Sequence, residues 1–308
     1  MTAAKALARW TLSGFAVVPE SVAESRMSVC RACPLFANDR CNECGCYLPA
    51  KTKLPAESCP TGKWLQSPAT ARHQAEEPTR NLIYHLWPKH GNGSWQWNLD
   101  ELKRRIELFD GVRSIAIVTD GVTDSASDVR EYMSGVRVDN WIELPNNSAL
   151  REGQTFFQLM ETLPRDGNNV TYYGHGKGVR HHVGSLTKRW AAMQYEICLD
   201  DFGSVRRGLE SFPMVGVFKR YGSFKFVGNH QWHYSGTNYW FRNADVFDRD
   251  WRRLQPGFFA SVEAWPANIF DAHETGCLFG DDVHDLYQES ELNKWEAKIH
   301  QWRAARNH

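Results

Sequence analysis

Between residues 81 and 173, short apolar runs alternate with longer stretches in which apolar residues recur every three or four positions. Short, β-branched and aromatic runs read as buried strands, and the longer period reads as amphipathic helix. On this pattern residues 81–87 (NLIYHLW), 113–119 (RSIAIVT), 138–144 and 170–173 are strands. Residues 95–109 carry Leu99, Leu102, Ile106 and Phe109 at helical spacing, and 150–163 is helical too. Asp124 or Ser125 can cap a helix running to Met133. Strand and helix in strict alternation predict an α/β fold with a mostly parallel sheet and helices on both faces. Further on, the spacing predicts a long helix over 185–209, a strand over 214–218 and a strand with a glycine kink over 230–242. A helix then runs from Asn243 or Asp245 to Leu254, and a charged amphipathic helix covers 289–306.

Ahead of this region the pattern differs. Residues 66–80 (QSPATARHQAEEPTR) are polar with two prolines and read as a linker. The organisation expected is therefore an N-terminal segment over 1–65, a linker over 66–80 and an α/β domain over 81–308. Within the first segment, 28–64, a cysteine-rich module, holds six of the eight cysteines of the 308-residue chain. They run Cys30-x-x-Cys33, then Cys41-x-x-Cys44-Gly45-Cys46, then Cys59. Each C-x-x-C can present two thiolates to one metal from a tight turn, and four thiolates in tetrahedral array satisfy zinc. Cys30, Cys33, Cys41, Cys44, Cys46 and Cys59 are the candidate ligands. One zinc on the first four, one zinc using Cys46 or Cys59 in place of one of these, and two zincs sharing all six remain open. An iron–sulfur cluster is the alternative metal, and a disulfide knot the alternative to metal. Few large apolar groups surround these cysteines, as expected of a segment that folds on its metal.

Composition narrows the rest. Thirty-six basic and 36 acidic side chains leave a formal net charge of zero, which supplies no global attraction to nucleic acid or anionic membrane. No apolar run approaches the roughly 18 residues of a membrane helix. Residues 10–19 are mildly apolar but broken by Thr11, Ser13 and Gly14, a poor signal peptide, so the expected location is cytoplasmic.

The fourth strand ends in Gly174, His175, Gly176, Lys177 and Gly178. Alternating glycines let a backbone approach a ligand, and a lysine there is a point charge for phosphate. In open α/β sheets ligands sit at the carboxyl ends of strands. His85, Trp87 and Asp120 end the first two strands, where a base and ribose would rest. No G-x-G-x-x-G follows the first strand, so the dinucleotide fingerprint is absent. Arg180, His181 and His182 extend the basic loop.

Taken in order, these pieces resemble the A-type glycosyltransferases, in particular a bacterial group with H-x-K-G after the fourth strand, S-G-N/T-x-x-W in a later strand and E-x-W beyond it. Here those are His175 to Gly178, Ser235 to Trp240, and Glu263 to Trp265, spread over about two thirds of the chain. The head in turn is similar to a small bacterial and phage module of pattern CxxCP…CxxCGC…CP…KW. The resemblance implies a Rossmann-like domain that moves a sugar from a nucleotide-sugar donor to a glycan or other hydroxyl acceptor. It casts Glu263 as general base, His175 and Lys177 as diphosphate holders, and Ser235, Gly236, Asn238, Trp240 and Trp265 as the acceptor side. Family members commonly hold a divalent metal with Asp-x-Asp; His175 and Lys177 occupy that place here and cannot chelate magnesium as two carboxylates do. The diphosphate is then expected to be held by Lys177, His175 and backbone N–H groups. Two other classes have residues of their own. Gly280 to Asp285 (GDDVHD) with the nearby histidines would suit a metal-dependent hydrolase. Arg31, Arg40, Lys51, Lys53 and Lys63 would suit a nucleic-acid-binding or DNA-modifying protein gripping through its head.

Overall fold

The protein is described from a computed structural model covering residues 17–18, 20–54, 57–64, 77–91, 93–179, 185–222, 232–254 and 261–306. The chain divides into two compact units, 1–77 and 78–308. Most of the expected linker, and Arg180, His181 and His182, lie outside the described residues. No described helix is long and apolar enough to cross a membrane.

The first unit is built on helix α1 (Glu20–Arg31), a two-residue antiparallel ladder of β1 (Phe36–Ala37) and β2 (Arg40–Cys41), and the short α2 (Leu48–Lys51). Its core is small: Met27, Cys30, Leu48 and Trp64, with Cys41 and Cys59 against it. Arg26 ties the ends of the unit together. Its guanidinium donates to the carbonyls of Thr52 (3.2 Å) and Leu54 (3.0 Å) and lies 4.7 Å from the centre of the Trp64 ring.

The second unit is an α/β layer structure. Strands β3 (Thr79–Leu86), β4 (Arg113–Thr119), β5 (Asn140–Pro145) and β6 (Asn169–His175) alternate with helices α3 (Ser94–Lys103), α4 (Ala126–Tyr132) and α5 (Gly153–Glu161). Then follow α6 (Leu186–Leu199), α7 (Phe202–Ser211), β7 (Met214–Tyr221), β8 (Trp232–Tyr234), β9 (Tyr239–Arg242), α8 (Asn243–Phe247), α9 (Ser261–Ile269), β10 (Gly276–Asp281) and α10 (Glu289–Arg306). Among the described residues the sheet runs β10-β7-β9-β6-β3-β4-β5, with β8 paired to β7. The pairs β3–β4, β4–β5, β3–β6 and β7–β10 are parallel, whereas β9 is antiparallel to both β6 and β7. The mostly parallel α/β sheet expected from the alternation is therefore present.

Alternation along β3 shows why helices cover both faces. Leu82, Tyr84 and Leu86 enter one core with Leu99, Phe109, Ile197 and Trp295, while Ile83 enters the other with Phe156, Leu159 and Trp265.

Several boundaries differ from those expected. Strand β3 starts inside the supposed linker, because Thr79 pairs with Asn169 and the Arg80 N–H donates to Asp110 Oδ1 at 2.7 Å. Strand β6 runs two residues further than the apolar run, through Gly174 and His175, which pair with Tyr84 and His85 of β3. The helix expected over 185–209 is two helices, since Asp201 caps α7 by accepting from the Ser204 N–H at 3.1 Å. The helix expected over 95–109 ends at Lys103, followed by a 3-10 turn at Ile106–Leu108. The kinked strand over 230–242 is two strands, β8 and β9, separated by a turn at Ser235 to Asn238 in which Gly236 takes φ +91° and Thr237 φ +56°. The helix beginning at Asn243 stops at Phe247.

Candidate functional site

Strand order reverses at β3: β4 and β5 build outward on one side and β6 on the other. Such a switch point opens a crevice at the carboxyl ends of the two central strands. His85 and His175 stand there as register partners, the last pair of the β3–β6 ladder. By the alternation of each strand both imidazoles project to the α5 face. Their Nδ1 atoms are held from that side. His85 Nδ1 pairs with Thr155 Oγ1 at 2.8 Å, and His175 Nδ1 lies 2.7 Å from Glu152 Oε1. An ionised carboxylate only accepts, so the Nδ1 proton of His175 points at Glu152 and Nε2 is left for something else. That Nε2 is buried with no hydrogen-bond partner among the described residues, in a side chain only 9% exposed. A buried polar atom left unmatched is costly unless a ligand or water meets it.

The electrostatics of the group are mutual. Burial pushes the His85 imidazole down to about 4; the His175 charge adds to this and Glu152 opposes it. Burial works against ionising Glu152, yet the charge and hydrogen bond of His175, with His85 behind them, hold its carboxyl well below the ordinary range. A depressed histidine is neutral in the folded protein and takes a proton on unfolding, so the unfolded state binds more protons between pH 6.5 and about 4. Stability is then fully present above the unfolded value and is lost as pH falls through that window, by about 3 kcal/mol from His85 alone. Glu152 adds to the acid loss below its own unfolded value. Urea unfolding at pH 7.5 and pH 4.5 checks this: a His85→Gln variant should show a smaller acid loss than wild type, and equal losses would contradict it.

The glycine loop works differently from expectation. Of the three glycines, only Gly178 has positive φ, at +72°. A Cβ on Gly174 would sit 2.8 Å from the Tyr172 ring, and one on Gly176 would sit 2.9 Å from Leu86. These two are glycine because neighbouring side chains fill the space, not because a ligand approaches there. Between them the backbone is pinned by the Gly176 N–H donating to the His85 carbonyl (2.9 Å) and the Asn98 amide donating to the Lys177 carbonyl (3.1 Å). Lys177 Nζ lies 4.2 Å from the centre of the Trp190 ring, an ammonium on an aromatic face.

A second group gathers around His233 on β8. Its Nε2 is 3.2 Å from Ser235 Oγ and 4.0 Å from Glu263 Oε1. Burial holds this imidazole below its ordinary value; Glu263 opposes, while Arg220 and Lys177 add to the lowering. Lys177 from the β6 loop and Glu263 from the first turn of α9 thus act on one histidine. Glu263 Oε1 also accepts the Gly236 N–H at 2.8 Å, so the turn after β8 orients the carboxylate, which stays 26% exposed. Gly236 is irreplaceable there on two counts, its positive φ and a Gln194 amide 2.4 Å from where a Cβ would be.

Asp120, exposed at the end of β4, accepts from the Trp87 indole (3.1 Å), the Asn146 amide (2.6 Å) and the Val122 N–H (3.0 Å). Burial opposes its ionisation, but these donors together hold the carboxyl below its ordinary value. Trp87 and Asp120 therefore form one strand-end unit.

Three of the acceptor-side residues belong to the interior. Trp240 is fully buried, its indole N–H donating to the Cys198 carbonyl at 2.8 Å. Trp265 is fully buried too, donating to the Trp251 carbonyl at 2.7 Å. Asn238 is 2% exposed, donating to the Gly236 carbonyl and accepting from the Tyr172 hydroxyl. None of the three has a free face for a sugar. Ser235 is 4% exposed and spends its hydroxyl on His233. Glu152, Thr155, Arg220 and His233 escaped sequence reasoning. Glu152 lies in an unremarkable polar turn, and His233 in an aromatic strand whose partners come from distant elements.

In the head, Cys30, Cys33, Cys41 and Cys59 line one small apolar cavity closed by Lys63 and Trp64. Cys44 and Cys46 stand apart beside Lys51, whose ammonium is 3.4 Å from Cys44 Sγ. All eight cysteines are free thiols. Among the described residues no three His, Cys, Asp or Glu side chains are drawn together closely enough to hold a metal ion, in the head, at Gly280 to Asp285 or elsewhere.

A family model described as "Family of unknown function (DUF6171)" matches residues 11–64, a span that includes all six head cysteines. No curated protein matches the chain. Among solved structures the chain is similar to one titled "Crystal structure of 4-diphosphocytidyl-2C-methyl-D-erythritol synthase", at 11% identity and a TM-score of 0.36, over 70% of this chain and 97% of that one.

Proposed function

We propose that the second unit binds a nucleotide sugar at the carboxyl ends of β3 and β6 and transfers the sugar to an acceptor hydroxyl. The observation that carries this reading is the Glu263 carboxylate, 26% exposed, held by the Gly236 N–H at 2.8 Å and 4.0 Å from His233 Nε2, an imidazole that also feels the Lys177 charge. Lys177 supplies the charge for the diphosphate, and the buried, unmatched Nε2 of His175 stands open to a ligand at the end of β6. Asp120, already oriented by Trp87 and Asn146, accepts from a ribose hydroxyl. In the transfer the bond between the sugar carbon and the phosphate oxygen breaks, its electron pair leaving with the diphosphate. The acceptor oxygen bonds to the carbon, and its proton passes to Glu263.

Calorimetric titration with nucleoside diphosphates and nucleotide sugars, with and without added magnesium or manganese, tests the binding step. Lys177→Ala should weaken the diphosphate about 10- to 100-fold, the worth of one charge-assisted hydrogen bond. A full-length protein that binds none of these ligands under any of the conditions overturns the reading.

A further inference from the structure

We infer that Cys30, Cys33, Cys41 and Cys59 form one structural zinc site, and that Cys44 and Cys46 are not ligands of it. Six thiols in the sequence allow several ligand sets; their surroundings separate them into four and two. The four line a common cavity, together with Lys63 and Trp64, whose side chains donate to Cys33 Sγ and Cys30 Sγ. Cys44 Sγ accepts from Lys51 Nζ at 3.4 Å and Cys46 Sγ donates to the Cys44 carbonyl at 3.5 Å, and neither lines that cavity.

Local backbone suits the assignment. The Cys33 N–H donates to the Cys30 carbonyl at 3.0 Å, closing the turn that sets two thiols on one side. Cys41 ends β2, its N–H donating to the Cys46 carbonyl at 3.1 Å. Cys59 sits in a third turn, its N–H donating to the Trp64 carbonyl at 2.9 Å. The sulfurs already have the donors that a zinc thiolate recruits. Trp64 Nε1 donates to Cys30 Sγ at 3.2 Å, Lys63 Nζ to Cys33 Sγ at 3.0 Å, and Thr61 Oγ1 lies 3.2 Å from Cys59 Sγ. Such outer contacts offset the negative charge that four thiolates bring to a divalent ion. On binding, each S–H gives its proton to solvent and a Zn–S bond replaces it. Ions of this kind take sulfur at about 2.3 Å in a tetrahedron, so the four side chains must draw in from the cavity wall.

The core of the unit argues for a cross-link as well. Two of the residues packed on Met27, Leu48 and Trp64 are Cys41 and Cys59, and Cys30 lies within the cluster. Units this small are commonly held by metals or disulfides.

Elemental analysis of the full chain, purified under reducing conditions, should find about one zinc per chain. Cys44→Ser and Cys46→Ser should keep that zinc, whereas Cys30→Ser and Cys41→Ser should lose most of it. Because a ligand variant can fail by misfolding, the wild-type holoprotein supplies the second measurement. Alkylation followed by peptide mass spectrometry should label Cys44 and Cys46 and spare the other four head cysteines until a chelator is added. Cobalt exchanged for zinc should give the intense absorption of a tetrahedral thiolate site. Absence of zinc, iron–sulfur absorption, disulfides among the four, or zinc that Cys44→Ser removes and Cys41→Ser retains would each overturn the assignment.

Discussion

Replacing Glu263 with glutamine should cut turnover about 10²- to 10⁴-fold, the usual contribution of a positioned general base, while leaving donor affinity close to wild type. Glutamine keeps an oxygen for the Gly236 N–H that now binds Glu263 Oε1 at 2.8 Å, so the turn should hold its shape. What is lost is the capacity to take a proton. The neighbouring imidazole cannot readily replace it. His233 is 4% exposed and its basicity is lowered by burial and by the cations Arg220 and Lys177. Removing Glu263 also removes the charge that opposes this lowering, so the variant's histidine should be a weaker base still. The assay follows release of nucleoside diphosphate from whichever nucleotide sugar the titration identifies, at saturating donor, with affinity measured alongside. Wild-type turnover in Glu263→Gln removes the carboxylate from the chemistry. A fall in affinity as large as the fall in turnover would assign it to binding instead.

The same pair of groups shows what could be read from residue order alone. Lys177 was picked out because a strand breaks into glycines around it, and Glu263 because it opens the E-x-W pattern of the resemblance. His233 was not. Along the chain it is one polar residue in an aromatic strand, and only the antiparallel ladder with β7 brings Arg220 opposite it. Glu152 is similar: nothing local marks it, and its role comes from β6 ending against the start of α5. Strand β4 fell where its apolar run fell because both its faces are buried, which makes the run continuous. Helix α4 started at its cap because Ser125 and Asp128 form a reciprocal box with each other's backbone. By contrast, the break between α6 and α7 leaves the apolar spacing almost undisturbed and depends on one aspartate side chain turning back on Ser204. The reversal of β9 has no signature at all in periodicity, since parallel and antiparallel neighbours ask the same alternation of a strand buried on both faces.

Trp240 separates a core role from a sugar-stacking role most sharply. Its ring packs against Phe202, Tyr172 and Phe109 with centroids 5.3, 5.5 and 5.7 Å away, and its N–H satisfies the Cys198 carbonyl. These contacts join β9 to β6 and to the helices above them, the region where the reversed strand is inserted into the parallel sheet. Trp240→Ala should cost about 3–5 kcal/mol through lost burial and the cavity left behind, a large fraction of the stability of an ordinary domain. For a unit of this size, that lowers Tm by roughly 6–20 °C. Trp240→Phe should recover most of the packing and lose chiefly the hydrogen bond, about 1 kcal/mol. Thermal unfolding of both variants, paired with nucleotide-sugar titration well below their Tm, reads the two roles separately. Unchanged Tm in Trp240→Ala with weakened ligand binding would return this indole to the binding surface. A large drop in Tm with wild-type affinity in the folded variant is the result that full burial requires.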